Sequence, residues 1–110
     1  MSKKKKKFEQ DDSQPDQVKI VVTVNRVPYF TLKFKEDLTW WYRHDFQKAS
    51  KIMDLITAVM QDPFEGIGKP EPLKYMEADI WSRRINLEHR LTYRVAEAEV
   101  YFLTCCYYYE

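Results

Sequence analysis

Apolar positions along this chain follow two rhythms, and each predicts a different element. Val18 to Val24 is rich in β-branched residues and predicts a strand, and Asn25-Arg26 leads into a second extended segment over Val27–Thr31. The spacing then lengthens. Phe34, Leu38 and Trp41 fall four and three residues apart, which is helical periodicity. Asp45 is placed to cap a second helix, in which Ala49, Ile52, Met53, Leu55, Ile56, Val59 and Met60 recur at i, i+3, i+4 spacing and predict one buried face. Pro63 ends that helix. Period-two alternation returns near Ile80–Asn86, Leu91–Val95 and Val100–Tyr108 and predicts three strands. Strand, helix pair and antiparallel run together predict an α+β fold, with two N-terminal helices packed on one face of a mainly antiparallel sheet and the other face open.

Parity sorts the strand residues between those faces. Trp81 and Ile85 share one face of the first strand; Ser82 and Arg84 share the other. In the second, Leu91, Tyr93 and Val95 alternate with Arg90, Thr92 and Arg94. In the third, Leu103, Cys105 and Tyr107 alternate with Thr104, Cys106 and Tyr108. With the apolar faces turned to the helices, Arg84, Arg90 and Tyr108 are expected to converge on the open face. Arginines on neighbouring strands repel unless an anion or an acidic partner joins them, so this face is a candidate site rather than a merely solvated one. Arg83 has the opposite parity to Arg84 and is expected to serve the surface or ribosomal RNA, and Tyr107 is expected in the core.

Composition narrows the classes. The chain has 110 residues, 45% hydrophobic and 15% aromatic, enough for one compact domain, expected over residues 18–110. Residues 1–17 are polar, with Lys3–Lys7 followed by Glu9, Asp11, Asp12 and Asp16, and are predicted to be a disordered, solvated tail. The net charge of +1 decides nothing as a total, so charge has to be read locally. Only two glycines occur, Gly66 and Gly68, and there is no dinucleotide or phosphate-loop fingerprint; no cofactor is expected. His44 and His89 are far apart and outside any ligand-spaced motif, so no metal site is expected. Adjacent Cys105 and Cys106 point to opposite faces of a strand, which argues against a disulfide between them and for a reducing, cytoplasmic setting. No apolar run is long enough to cross a membrane.

Candidate chemistry gathers between residues 63 and 91. Glu71 stands between Pro70 and Pro72, whose rings restrict the backbone and present the carboxylate rigidly, with Lys69 and Lys74 beside it. It is the best candidate base. Arg84 and Arg90 carry planar forks that suit phosphate oxygens, which makes them candidate phosphate clamps. His89 falls at a hairpin turn and is expected to be an exposed turn residue.

The block Pro63–Lys74, with Trp81-Ser82-Arg83-Arg84-Ile85 and Glu88-His89-Arg90-Leu91-Thr92-Tyr93, closely resembles the YoeB/Txe branch of the RelE toxin superfamily. The resemblance spans about residues 28–109, and Asp37, Trp41 and the Ile52/Leu55 pattern are similar to that family's helices. It implies a RelE-like fold, a toxin of a toxin–antitoxin pair that cleaves mRNA in the ribosomal A site without a metal, a YefM/Phd-like antitoxin as partner, and frequent dimerisation. Glu71 matches the family's catalytic carboxylate and Lys74 a basic residue beside it. Arg84 matches an active-site arginine, and Arg90 the arginine that holds the scissile phosphate. The family's closing Cys-Arg-Tyr-His-Tyr is here Cys105-Cys106-Tyr107-Tyr108-Tyr109, so Tyr108 stands where the catalytic histidine is found.

The chemistry so implied is attack of an RNA 2′-hydroxyl on its neighbouring phosphate, which needs a base, cations for the growing charge and an acid for the leaving oxygen. Glu71, Arg90 and Tyr108 are the expected catalytic residues, and Lys74, Arg84 and Tyr109 the expected substrate contacts. A tyrosine is a weaker acid than a histidine, with reference values of about 10 and about 6.5, so Tyr108 stays open between acid and base-stacking platform. The rival reading is a weakened, non-catalytic module of the same fold that blocks the ribosome or only binds an antitoxin.

Overall fold

The structure, a computed structural model, describes residues 8–10, 18–20, 25–74, 76 and 78–107. Two short strands, β1 (Phe8–Gln10) and β2 (Val18–Ile20), pair antiparallel with Phe8 opposite Ile20. The expected tail over residues 1–17 and the expected strand Val18–Val24 lie otherwise outside the described residues. The remaining elements are β3 (Val27–Phe30), α1 (Leu32–His44), α2 (Phe46–Gln61), β4 (Glu71–Pro72), β5 (Ile80–Arg84), β6 (Arg90–Val95) and β7 (Glu99–Thr104). They form an α+β fold in which two helices pack on one face of a five-stranded sheet of order β3-β7-β6-β5-β4. Only β3 runs parallel, beside β7; every other pair is antiparallel. Among the described residues no helix is long and apolar enough to cross a membrane.

Local chemistry explains the helix limits. The Thr31 hydroxyl accepts from the Phe34 N–H at 3.0 Å and donates to the Leu103 carbonyl at 2.8 Å, so one side chain caps α1 and ties it to β7. Asp45 breaks the helix pair and caps α2, its carboxylate accepting from the Lys48 N–H at 3.2 Å, as its position in the sequence suggests. Within α2, Ala49, Ile52, Leu55, Ile56 and Val59 are buried against Phe34 and Trp41 of α1 and against Ile85, Leu91, Tyr93, Val100 and Phe102 of the sheet side. Met53 departs from the expected stripe. It sits one residue, about 100°, beyond Ile52 and faces solvent.

Two further departures have backbone causes. Glu71 and Pro72, expected as a rigid loop, form a two-residue edge strand against Ser82 and Trp81. Proline is tolerated there because an edge strand does not need its N–H. The last strand stops at Thr104 rather than Tyr108. A register shift between Thr92 and Tyr93 pairs Thr92 with Thr104 but Tyr93 with Phe102, leaving Leu103 as the extra residue. Val100 and Phe102 therefore point to the helices before the bulge and Cys105 after it. The Cys105 N–H then leaves the sheet for the buried Asp37 carboxylate at 3.0 Å, and Trp41 Nε1 donates to the Cys105 carbonyl at 2.7 Å. Helix α1 thus ends β7 and holds the chain that follows it.

Candidate functional site

The face turned away from the helices carries two adjacent rows of polar side chains. Register places Glu71 opposite Ser82, Ser82 opposite Thr92, and Thr92 opposite Thr104, so these four share one face across β4, β5, β6 and β7. Two residues along, Arg84 and Arg90 stand directly opposite each other on that face. Sheet spacings, about 4.8 Å between strands and about 6.7 Å per two residues, put the Cα atoms of Glu71 and Arg84 about 8 Å apart and those of Glu71 and Arg90 about 12 Å apart. Side chains of these lengths close such gaps to the size of one phosphodiester.

The rows differ in how far their groups are already used. Glu71 and Lys74 are exposed. Thr92 and Thr104 satisfy each other through a hydroxyl pair at 2.6 Å. Arg90 is buried, and its Nη1 donates to the carbonyls of Asn86 at 2.7 Å and His89 at 3.2 Å, which orients the guanidinium from its own hairpin. Among the described residues, Ser82 Oγ and Arg84 Nε are buried with no hydrogen-bond partner. Buried polar atoms of this kind are costly unless something satisfies them. They lie between the carboxylate and Arg90, where an anion with several oxygens would use them.

The loop leading to Glu71 is fastened from beneath by Arg83, for which a surface or ribosomal-RNA role was the expectation. Arg83 is fully buried, with 0% of its surface exposed. Its guanidinium donates to the carbonyls of Asp62, Glu65 and Ile67, the last two at 3.0 Å, and its Nε donates to the Tyr93 hydroxyl at 3.2 Å. That hydroxyl in turn donates to the Pro63 carbonyl at 2.6 Å. Burial raises the Tyr93 pKa above its ordinary value, only partly offset by the Arg83 hydrogen bond and charge. The loop follows this staple closely. Gly68 adopts φ +85°, its carbonyl accepts from the Arg84 N–H at 2.7 Å, and a Cβ there would meet Leu55 Cδ2 at 2.8 Å. The signal was present in the sequence: Arg83 shares a face with Trp81 and Ile85, and an arginine on a core face must find carbonyl or acidic partners.

The chain end corrects two more expectations. Tyr107 is not in the core. It is 63% exposed and takes φ +63°, because β7 has ended and the strand alternation no longer applies. His89 is not an exposed turn residue. Its side chain is 12% exposed and packs edge-on against Trp41 at a centroid distance of 4.9 Å. Its Nδ1 accepts from the Tyr107 N–H at 2.7 Å, while the Arg90 N–H donates to the Tyr107 carbonyl at 3.1 Å. Tyr108 and Tyr109, the expected acid and stacking residue, lie outside the described residues.

Both cysteines are buried and free. Burial and the Asp37 carboxylate push the Cys105 thiol far above its ordinary pKa, and the same two causes push Cys106 up to about 11. Both therefore stay as unreactive thiols at pH 8. Iodoacetamide is expected to label neither in the native protein on the timescale of minutes and both rapidly in denaturant, read by intact-mass spectrometry. Fast native labelling of either would contradict the buried position of Cys105 and Cys106.

The family model of the YoeB-like toxin of bacterial type II toxin–antitoxin systems matches residues 30–109. A "Toxin YoeB" from Synechocystis is 43% identical over 81 residues, covering 74% of this chain and 94% of the relative. Among solved structures, the YoeB dimer from Staphylococcus aureus superposes with a TM-score of 0.71 at 35% identity, covering 77% of this chain and 99% of that one. A YoeB–YefM complex from the same organism superposes with a TM-score of 0.67 at 34% identity, covering 76% and 98%.

Proposed function

The chain belongs to the YoeB-like toxins of bacterial type II toxin–antitoxin systems, and from that membership we propose that it is a ribosome-dependent endoribonuclease that cuts mRNA in the A site and stops translation. One observation carries the reading: Glu71, Arg84 and Arg90 share one face of the sheet in adjacent rows. In this reaction Glu71 takes the proton from an RNA 2′-hydroxyl, whose oxygen attacks the neighbouring phosphorus. Arg90 and Arg84 hold the phosphate and balance the charge that grows on its oxygens. Tyr108 gives a proton to the leaving 5′-oxygen, and a 2′,3′-cyclic phosphate remains. Lys74 and Tyr109 contact the substrate outside the reacting atoms. DNA lacks the attacking hydroxyl and is inert.

The Staphylococcus aureus dimer and YoeB–YefM complex support a second copy of this chain and a YefM-like antitoxin as its partners, and the ribosome with its mRNA is the target. A cytoplasmic location follows from that target. Primer extension on a message translated by purified bacterial ribosomes tests the reading. New cuts within A-site codons, absent on naked message, are the expected result. Stalled ribosomes carrying intact message would instead assign the chain to occlusion, a reading favoured by the Tyr108 and Cys106 departures from the family's closing residues.

Tyr108 has its own test. If its hydroxyl supplies the leaving-group proton, Tyr108→Phe lowers cleavage by about 10²-fold or more, and Tyr108→His keeps or raises it. A nearly silent Tyr108→Phe would leave only stacking for that ring.

A further inference from the structure

Ser82 holds a hydroxyl where the fold has no use for one. Only 1% of the residue is exposed, and among the described residues its Oγ has no hydrogen-bond partner. A buried hydroxyl left unmatched destabilises the folded state. The neighbouring hydroxyls do not relieve it. Thr92, the partner of Ser82 on β6, is bonded instead to Thr104 at 2.6 Å. A residue that weakens the fold and satisfies nothing within it is a candidate for work on a ligand.

Its neighbours point to the ligand. Ser82 stands between Glu71 on β4 and Thr92 on β6, one strand spacing, about 4.8 Å, from each. Arg84 lies two residues along the same face, about 6.7 Å away, and its Nε is a second buried donor without a partner. Arg90, opposite Arg84, comes within about 8 Å of Ser82 by Cα position. Two unmatched donors on one strand face, with a carboxylate on one side and a second arginine on the other, fit an acceptor with more than one oxygen. Glu71 is itself such an acceptor, but the wrong one for catalysis. Its negative charge disappears as it takes the proton, so a donor bonded to it stabilises the starting state more than the transition state. The phosphate oxygens gain charge in the same step, so a donor bonded to them does the opposite.

We propose that Ser82 is a phosphate-binding residue of the reaction: its hydroxyl donates to a non-bridging oxygen of the scissile phosphate, beside Arg84 Nε, and the bond strengthens as charge grows there. The proposal rests on the nuclease reading and adds to it a neutral donor on the floor of the sheet. Ser82 neither takes nor gives up a proton, and no covalent bond to it forms. Its backbone is paired on both sides, to β4 and to β6, so one rotation about its side chain is all that binding has to fix. Glu71 is exposed and Arg84 half-buried. Turning these longer side chains toward the RNA uncovers the hydroxyl between them.

The test compares wild type with Ser82→Ala on ribosome-bound model messages whose cleaved phosphate carries sulfur in place of one or the other non-bridging oxygen. On the all-oxygen message Ser82→Ala is expected to lower single-turnover cleavage by about 10- to 10²-fold, the range for a hydrogen bond to a charged group. Its melting temperature should stay the same or rise, because alanine removes an unmatched hydroxyl. Sulfur accepts hydrogen bonds weakly. Wild type should therefore be slowed on the isomer that places sulfur at Ser82, and in Ser82→Ala that penalty should shrink by about 5-fold or more while the other isomer keeps its own. A merely structural role would instead slow all three messages alike and lower the melting temperature. Equal sulfur penalties in the two proteins overturn the proposal, as does undiminished cleavage by Ser82→Ala. Should Ser82→Ala not fold, Ser82→Cys, close in shape and a weak donor, carries the same comparison. Inorganic phosphate gives a readout that needs no cleavage. Added to the full chain, it should move the Ser82 and Arg84 amide resonances and bind Ser82→Ala about 5-fold or more weakly, the effect of one lost hydrogen bond. Phosphate binding that depends on Ser82, in a protein that leaves the message intact, keeps the contact and removes the nuclease. Cleavage with sulfur penalties indifferent to Ser82 keeps the nuclease and removes the contact. With no cleavage, phosphate bound equally by both proteins is an adventitious ion only, and both readings fall.

Discussion

Glu71→Gln is expected to reduce cleavage of translated mRNA by about 10²- to 10⁴-fold, the range a positioned general base contributes. The substitution keeps the side chain's length and shape and removes only the lone pair that takes up a proton, because an amide oxygen is too weak a base to do so at neutral pH. Position explains why little else should change. Glu71 lies exposed on a two-residue edge strand, joined to the sheet through backbone pairing with Ser82 and Trp81 across β5. Exposed substitutions away from caps, networks and cores stay within about 0.5 kcal/mol. Melting temperature and co-sedimentation with ribosomes are therefore expected to match wild type. Single-turnover cleavage on stalled ribosomal complexes, measured beside those two controls, separates loss of the base from loss of fold or binding. Unchanged cleavage would move the base elsewhere, with the ribosome itself or Tyr108 as the next candidates. Equal loss of cleavage and of ribosome binding would make Glu71 a contact and not a base.

Much of the architecture follows from short-range patterns. The helical spacing of α1, the i, i+3, i+4 stripe of α2 apart from Met53, the Asp45 cap and the alternation over β5 and β6 are each decided within a few residues, and they lie where those patterns point. Strand parity also brings Glu71's neighbours together, since Ser82, Arg84, Arg90 and Thr92 share a face once β5 and β6 pair in register. What escapes local reading depends on partners distant in the chain. The bulge at Leu103 changes which residues of the last strand face inward, and nothing in the alternation of Leu103, Cys105 and Tyr107 announces it. Asp37 and Trp41 end the strand from 64 or more residues away. His89 looks like a turn residue because its burial is supplied by Trp41 and Tyr107, neither of which is near it in sequence. The family resemblance carries identity and the order of motif residues, and it does not carry these hydrogen bonds.

Arg83→Met is expected to cost on the order of 3–5 kcal/mol, the largest stability loss of any single substitution proposed for this chain. Methionine fills part of the volume but leaves the carbonyls of Asp62, Glu65 and Ile67 and the Tyr93 hydroxyl without their donors. Each buried group so abandoned costs about 1–3 kcal/mol, reduced by whatever water can enter the loosened loop. A domain of this size is stable by only about 5–15 kcal/mol, so a fall in melting temperature on the order of 10–20 °C should be evident by calorimetry. Arg83→Lys should not rescue it. A lysine ammonium is a compact charge on a flexible stem, and it cannot spread donors over three carbonyls and a phenol as a planar guanidinium does. The surface reading of Arg83 makes the opposite forecast, with melting unchanged and ribosome affinity lowered, so one thermal scan of each variant decides between them. The consequence for chemistry follows from the chain path. Residues 62–67 hang from Arg83, Gly68 is fixed against Arg84, and Glu71 comes three residues later. Hydrogen exchange in that loop should therefore rise in Arg83→Lys at temperatures where the helices remain protected, and cleavage should fall with the loop before the fold is lost.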